Sequence, residues 1–139
     1  PMPAPDGSGG TTELLNVASL HVLEKSLSDA GVDPLLLRTH IEDWGRYEEH
    51  VAPWIETTSQ SLAIAAATIV SVVEVEVILI DGAMPAEVCE RLTAATKAAL
   101  AASKLTVVVN PVIEQARVGR RARSLGAALL PIHARYFLA

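Results

Sequence analysis

Cysteine is nearly absent: Cys89 is the single one in 139 residues. That excludes an intrachain disulfide framework and a zinc site built from several thiolates, and it fits a reducing compartment such as the cytoplasm. Aromatic residues are scarce too, at 4% against 50% hydrophobic residues overall, so any core is assembled from Ala, Val, Leu and Ile. Positive charge is in deficit. Eleven Lys and Arg stand against sixteen Asp and Glu, giving a formal net charge of -5 and a pI near 5.3. Such a balance argues against a chain-wide electrostatic grip on nucleic acid or anionic lipid. A glycine-rich phosphate loop, a G-x-S-x-G elbow and an HExxH pair are all missing. No nucleophile-base pair is visible in the sequence, so catalysis is not expected of this chain alone.

Long apolar runs are few. Leu62 to Ile80 is hydrophobic enough to raise the question of a span, since roughly 20 such residues cross a bilayer. Glu74 and Glu76 interrupt it, and the period changes there from helical to alternating. Two separate elements are expected, and no membrane contact. There is no signal-peptide layout, and a first residue of Pro rather than Met suggests an excised or processed piece.

The length suits one domain. Pro1 to Thr12 carries three prolines and three glycines, which predicts a loop or linker over residues 1–15 and a folded part over 16–139. Leu20, Leu23, Leu27 and Ala30 follow helical spacing, with Ser19 or Asn16 as cap and Gly31 in the left-handed position after the last turn. Asp33-Pro34 restarts the chain, and LLLRTHIEDW predicts a second helix up to Gly45. A third helix is expected from about Pro53 to Ser71, apolar almost all round in its second half and so buried on most sides.

Val75, Val77 and Leu79 then alternate with Glu76, Ile78 and Ile80, predicting a strand covered mostly on both faces. Pro85 opens a fourth helix, with Glu87 at its positive end and Val88, Leu92, Ala95, Ala99 and Ala102 on the packed face. LTVVVNPVI predicts a second strand ending at or near Pro111, which makes a parallel, right-handed βαβ unit. A last helix, about Gly119 to Leu138, places Ala122, Leu125, Leu129, Ile132 and Tyr136 on one face and kinks at Pro131. The fold class is therefore α/β, with two parallel strands flanked by about five helices. Two parallel strands are too few for a buried sheet. More sheet is expected from a partner or from upstream chain.

The candidate sites each have an ordinary structural explanation. VEVEVILIDGAMP, Val73 to Pro85, delivers a strand end to Asp81-Gly82-Ala83 and a helix N-terminus, which can present N–H groups to an anion. A βα turn needs small residues for geometry alone, however, and that explanation is preferred. His21 with Glu24, and His40 with Asp43, have the spacing of shared metal ligands. Neither has a third ligand nearby in sequence, so no metal is expected. His50 and His133 are isolated. Cys89 lies early in the fourth helix and is read as a semi-buried structural residue. Arg117, Arg120, Arg121 and Arg123 form the one basic cluster, expected to meet acidic partners such as Glu114 or another chain. Trp44, Tyr47 and Trp54 gather at a helix junction, as anchors between helices or to a partner.

Three segments together resemble the C-terminal part of the ROK family of sugar-responsive repressors and sugar kinases. The third helix with VEVEVILIDGAM resembles the family's helix, strand and glycine-rich turn beside adenosine. VGRRARSLGAALLPIHARYFL resembles the closing helix, whose Leu125-Gly126-Ala127-Ala128 stretch would pack beside the same cleft. PMPAPDG with NVASLHVLEKSL resembles the passage after the sugar site. The resemblance implies a partial actin-like, ribonuclease-H-like domain, with the rest of a five-stranded sheet, the phosphate-binding loop and the catalytic Asp upstream. The family's sugar motif and Cys-rich zinc motif are absent, and Asp81 stands where the first glycine of the adenosine turn usually sits.

These departures imply a regulator that has lost ATP binding. Asp81, Gly82, Ala83 and Gly126 would then be a vestigial nucleotide-facing wall, with no cofactor of its own. The implied parent binds DNA through an upstream winged helix-turn-helix and senses a sugar, while this portion supplies a homodimer surface. A sugar-kinase fragment and a standalone oligomerising module are the alternatives. An unpaired edge on VEVILI would invite pairing with a second copy.

Overall fold

A computed structural model of the chain describes residues 3–5, 10–103 and 111–137; the side chains of Pro3, Pro5, Thr11, Arg120 and Arg123 fall outside that description. The fold is mixed α/β and mostly helical. Its longest element is α4 (Glu48–Val72), whose first turn carries Glu48 and Glu49 at the positive end of the helix dipole. It begins ahead of the expected Pro53, whose ring sits on the exposed side of the helix. Ala-rich in its middle, α4 lets neighbours approach closely, and α1 (Leu14–Ala18), α2 (Leu20–Asp29) and α5 (Ala86–Ala102) all pack on it.

The N-terminal helices differ from expectation in their breaks. One helix becomes two because Ser19 is extended, at φ -94° and ψ 154°, between α1 and α2. Gly31 does adopt the left-handed conformation, at φ 79°, after α2. Asp33 Oδ1 accepts the Leu35 N–H at 2.9 Å and so opens the next segment. The expected helix through LLLRTHIEDW is divided: α3 (Leu36–Thr39) stops at His40, and a 3₁₀ segment, Ile41–Tyr47, leads into α4. Part of the expected linker also folds. β1 (Pro3–Pro5) pairs antiparallel with β2 (Thr11–Glu13), and Ala4 is buried where β1 meets α4.

Aromatic anchors hold this region. Trp44 Nε1 donates to Leu37 O at 2.9 Å, tying the 3₁₀ segment to α3, and Trp54 Nε1 donates to Ser19 O at 3.1 Å, tying α4 to the α1–α2 break. Both rings are buried and Tyr47 packs beside them. His50, isolated in sequence, lies 2.9 Å from Ser26 Oγ and joins α4 to α2.

The βαβ unit is present. β3 (Val77–Ile80) pairs in parallel with β4 (Val112–Gln115), in register Val77 to Val112 and Ile80 to Gln115, with α5 between them in sequence. The second strand therefore runs past Pro111; residues 104–110 of the expected LTVVVNPVI lie outside the described residues. Ile80 and Ile113 join the core with α4 and α5, whereas Val77, Leu79 and Val112 are exposed. Coverage of β3 on both faces is thus not observed, because α4 and α5 both lie on one side. The last helix departs further. A 3₁₀ turn, Gly119–Arg121, precedes α6 (Ala122–Tyr136), and the expected packed face, Ala122, Leu125, Leu129, Ile132 and Tyr136, is exposed. Among the described residues, none from α6 belongs to the core cluster. Leu138 lies outside the described residues.

One salt bridge joins the two longest helices. Arg91 of α5 grips Glu48 of α4 through both guanidinium nitrogens, with Nη1 at 3.0 Å from Oε2. The hydrogen bonds from Arg91 hold the Glu48 carboxyl below the ordinary glutamate range. Such a depressed acid contributes stability above its unfolded range and loses that contribution as pH falls through it. Because both side chains are partly exposed, Glu48→Gln is expected to lower stability at pH 7 by less than about 1 kcal/mol. Urea unfolding at pH 7 and pH 3 should show the difference shrinking towards zero at the lower pH.

Candidate functional site

β3 ends at Ile80, and the chain then turns through Asp81, Gly82 and Ala83 to enter α5 after Pro85. A helix start of this kind leaves N–H groups free for an anion. Ahead of that start, the chain's own carboxylate meets one amide of the turn and one from the loop after β4. Asp81 Oδ1 accepts the Gly82 N–H at 2.8 Å and the Gly119 N–H at 3.0 Å, while Oδ2 accepts the Gly119 N–H at 2.9 Å. The loop after β3 is thereby clasped to the loop after β4. Gly119 adopts φ 55°, a left-handed conformation that a side chain would strain. Gly82 is constrained differently, since an added Cβ would meet the Met84 side chain.

Asp81, Gly82 and Ala83 share this turn, as their sequence adjacency requires. Ala83 also lines a cleft of about 490 Å³ with Leu20, Leu37, Trp44 and Ser124 of α6. One wall carries a salt bridge, Arg38 Nη2 to Glu24 Oε1 at 2.7 Å. Gly126 does not join them: a Cβ added to it would meet open space, so its small size answers no close approach here. The partner that sequence reading missed is Gly119. Its signal was a glycine shortly after the second strand, four residues past Gln115, where Gly82 lies two past Ile80.

The other candidates resolve into structural roles. Glu24 is held by Arg38 and lies 3.8 Å from His21, Asp43 pairs with Arg46 at 3.6 Å, and His40 Nδ1 lies 2.9 Å from Thr39 Oγ1. Among the described residues no group of three or more His, Cys, Asp or Glu could hold a metal ion. Cys89 is buried rather than semi-buried, and its thiol donates to Ile80 O at 3.6 Å. Burial, followed by the nearby Asp81 charge, pushes the thiol pKa up. It is therefore a protonated packing group at neutral pH and not a nucleophile. Arg117 and Arg121 are exposed and, among the described residues, make no salt bridge with Glu114. His133 stacks on Phe137 with ring centroids 5.5 Å apart. No helix among the described residues is long and apolar enough to cross a membrane.

Chemically, the turn is an anion site already satisfied from within. Removing the carboxylate should therefore free both glycine amides. Asp81→Ala is expected to speed hydrogen exchange at Gly82 and Gly119 and to cost about 1 kcal/mol of stability, with Asp81→Asn milder because it keeps one acceptor. Amide exchange by NMR checks this, and unchanged protection of Gly119 in Asp81→Ala would refute the clasp.

Against known proteins, no protein-family model matches the chain and no curated protein matches it.

Proposed function

We propose that this chain is the C-terminal effector and dimerisation portion of a ROK-family, sugar-responsive transcriptional regulator, with no catalysis of its own. The observation that carries the reading is the Asp81 clasp. In a working nucleotide site the turn after the strand offers free amides and a small neutral residue to the ligand. In this chain the Gly82 and Gly119 amides are spent on Asp81. The carboxylate also adds a negative charge that repels phosphate. The turn keeps its geometry and gives up its ligand chemistry, which favours the regulator over the sugar kinase.

In this reading the two strands belong to a partial actin-like, ribonuclease-H-like domain of a cytoplasmic parent. The sugar binds in the parent's interlobe cleft, and DNA is read by an upstream winged helix-turn-helix. The acidic balance of this portion fits a role away from the DNA. The dimer surface is formed by the apolar groups left in water, Val77, Leu79 and Val112 on the outer sheet face and Leu125, Leu129 and Ile132 on α6. Exposed apolar area on this scale marks an interaction surface.

Titration calorimetry with magnesium ATP is expected to show no binding to this chain or to its full-length parent, and saturable heat from the parent would replace the regulator with the kinase. Light scattering over a dilution series should give a dimer that dissociates on dilution, and Leu129→Glu should shift it to monomer. A chain that is monomeric at every concentration would remove the dimerisation role.

A further inference from the structure

A cavity of about 550 Å³ lies between α4, α5 and β3. Its α4 wall is the stripe Thr58, Leu62, Ala65, Ala66 and Ile69, spaced three and four apart and so on one helical face. Ala65 and Ala66 are too short to fill the space towards Ile78 and Ile80 on the opposite wall. The volume falls in the roughly 300–1,000 Å³ range of small-molecule sites.

The lining is apolar with one informative exception. Thr58 is 1% exposed, and its buried hydroxyl has no hydrogen-bond partner among the described residues. This sets it apart on α4, where Thr57, Ser59, Ser61, Thr68 and Ser71 all donate to a carbonyl three or four residues back. Thr96, also lining the cavity from α5, does the same to Leu92 O at 2.8 Å. Leaving a buried hydroxyl unsatisfied is costly, and native interiors hold few such groups.

We propose that this cavity binds an uncharged, mainly aliphatic molecule bearing one hydroxyl or carbonyl group, which hydrogen-bonds to Thr58. The site favours that chemistry over others. Asp81 is the charged group in the lining, so an anion is repelled and a buried cation has no close partner in the apolar part. A sugar would bury several hydroxyls against Leu and Ile with nothing to bond them. The inference therefore stands apart from the regulator reading and from its sugar effector.

Trp54 lines the cavity, so its fluorescence reports occupancy of the full chain directly. With 1-octanol as probe, a saturable change is expected, whereas octanoate at pH 8 should give none. Thr58→Val, nearly isosteric, should weaken 1-octanol about fivefold, the equivalent of one ordinary hydrogen bond. The same variant should melt above the parent chain, because it removes an unsatisfied group. Ala66→Phe should abolish the response by filling the space. Absence of saturable 1-octanol binding to the unaltered chain, or equal affinity for octanoate, would overturn the site. Unchanged 1-octanol affinity in Thr58→Val would overturn the role of the hydroxyl. These outcomes hold even if Ala66→Phe fails to fold, and they leave the ATP and dimer experiments unaffected.

Discussion

Burying α4 along most of its length requires neighbours on several sides, and those it finds determine where everything else can lie. Its alanine-rich middle permits close approach, so α5 packs on it more extensively than any other element does. Because α5 is also the crossover between β3 and β4, fixing α5 on α4 fixes the sheet and the side it presents. Ile78, Ile80 and Ile113 meet the helices. Their alternates, Val77, Leu79 and Val112, face away from them. The one-sided sheet follows from this packing. Area burial at about 25 cal/mol per Å² makes such helix contacts the main source of stability in a chain this poor in aromatic side chains.

Asp81 shows how one side chain can keep a structural role while removing a chemical one. Two loops that leave neighbouring parallel strands at the same end must be held together, and each brings an amide hydrogen that needs an acceptor. A bound anion could serve, as in many α/β folds. A carboxylate anchored on the strand end does so without a ligand. Burial chiefly, and the Asp81 charge in addition, push the Cys89 thiol pKa up.

Local signals in the sequence were the dependable ones. Gly31 as a left-handed stop, Asp33 as a helix-opening acceptor, and the change from period 3.6 to period 2 near Glu74 each reflect forces acting within a few residues. The breaks at Ser19 and His40 were not legible. They depend on tryptophans seven and thirty-five residues away in the pairs Trp44–Leu37 and Trp54–Ser19. Coverage of β3 was misjudged for a similar reason: β-branched residues on both faces say that a strand suits burial, not that a neighbour is available. At the turn, adjacency placed Asp81, Gly82 and Ala83 together, but the Gly119 contact spans 38 positions and belongs to the tertiary fold. Gly126 is the converse case, a small residue whose expected close neighbour is not there.

The open edge of β3 and the open outer face of the sheet are not equivalent invitations to a second copy. Glu76 O and Ile80 O accept from β4 amides, so by the period of two Val77 and Leu79 direct their backbone groups to the other edge. Antiparallel pairing of that edge with itself sets odd residues against odd ones, so the four residues of β3 offer it only the backbone groups of Val77 and Leu79. The outer face offers more: Val77, Leu79 and Val112 form an apolar strip, and α6 carries exposed Leu129 and Leu130, with Phe137 just past its end. So short a strand offers little to edge pairing, while the apolar groups favour face association through α6. A two-stranded sheet with a short edge and an apolar outer face is better suited to being covered by a helix than to being extended by a copy of its own strand.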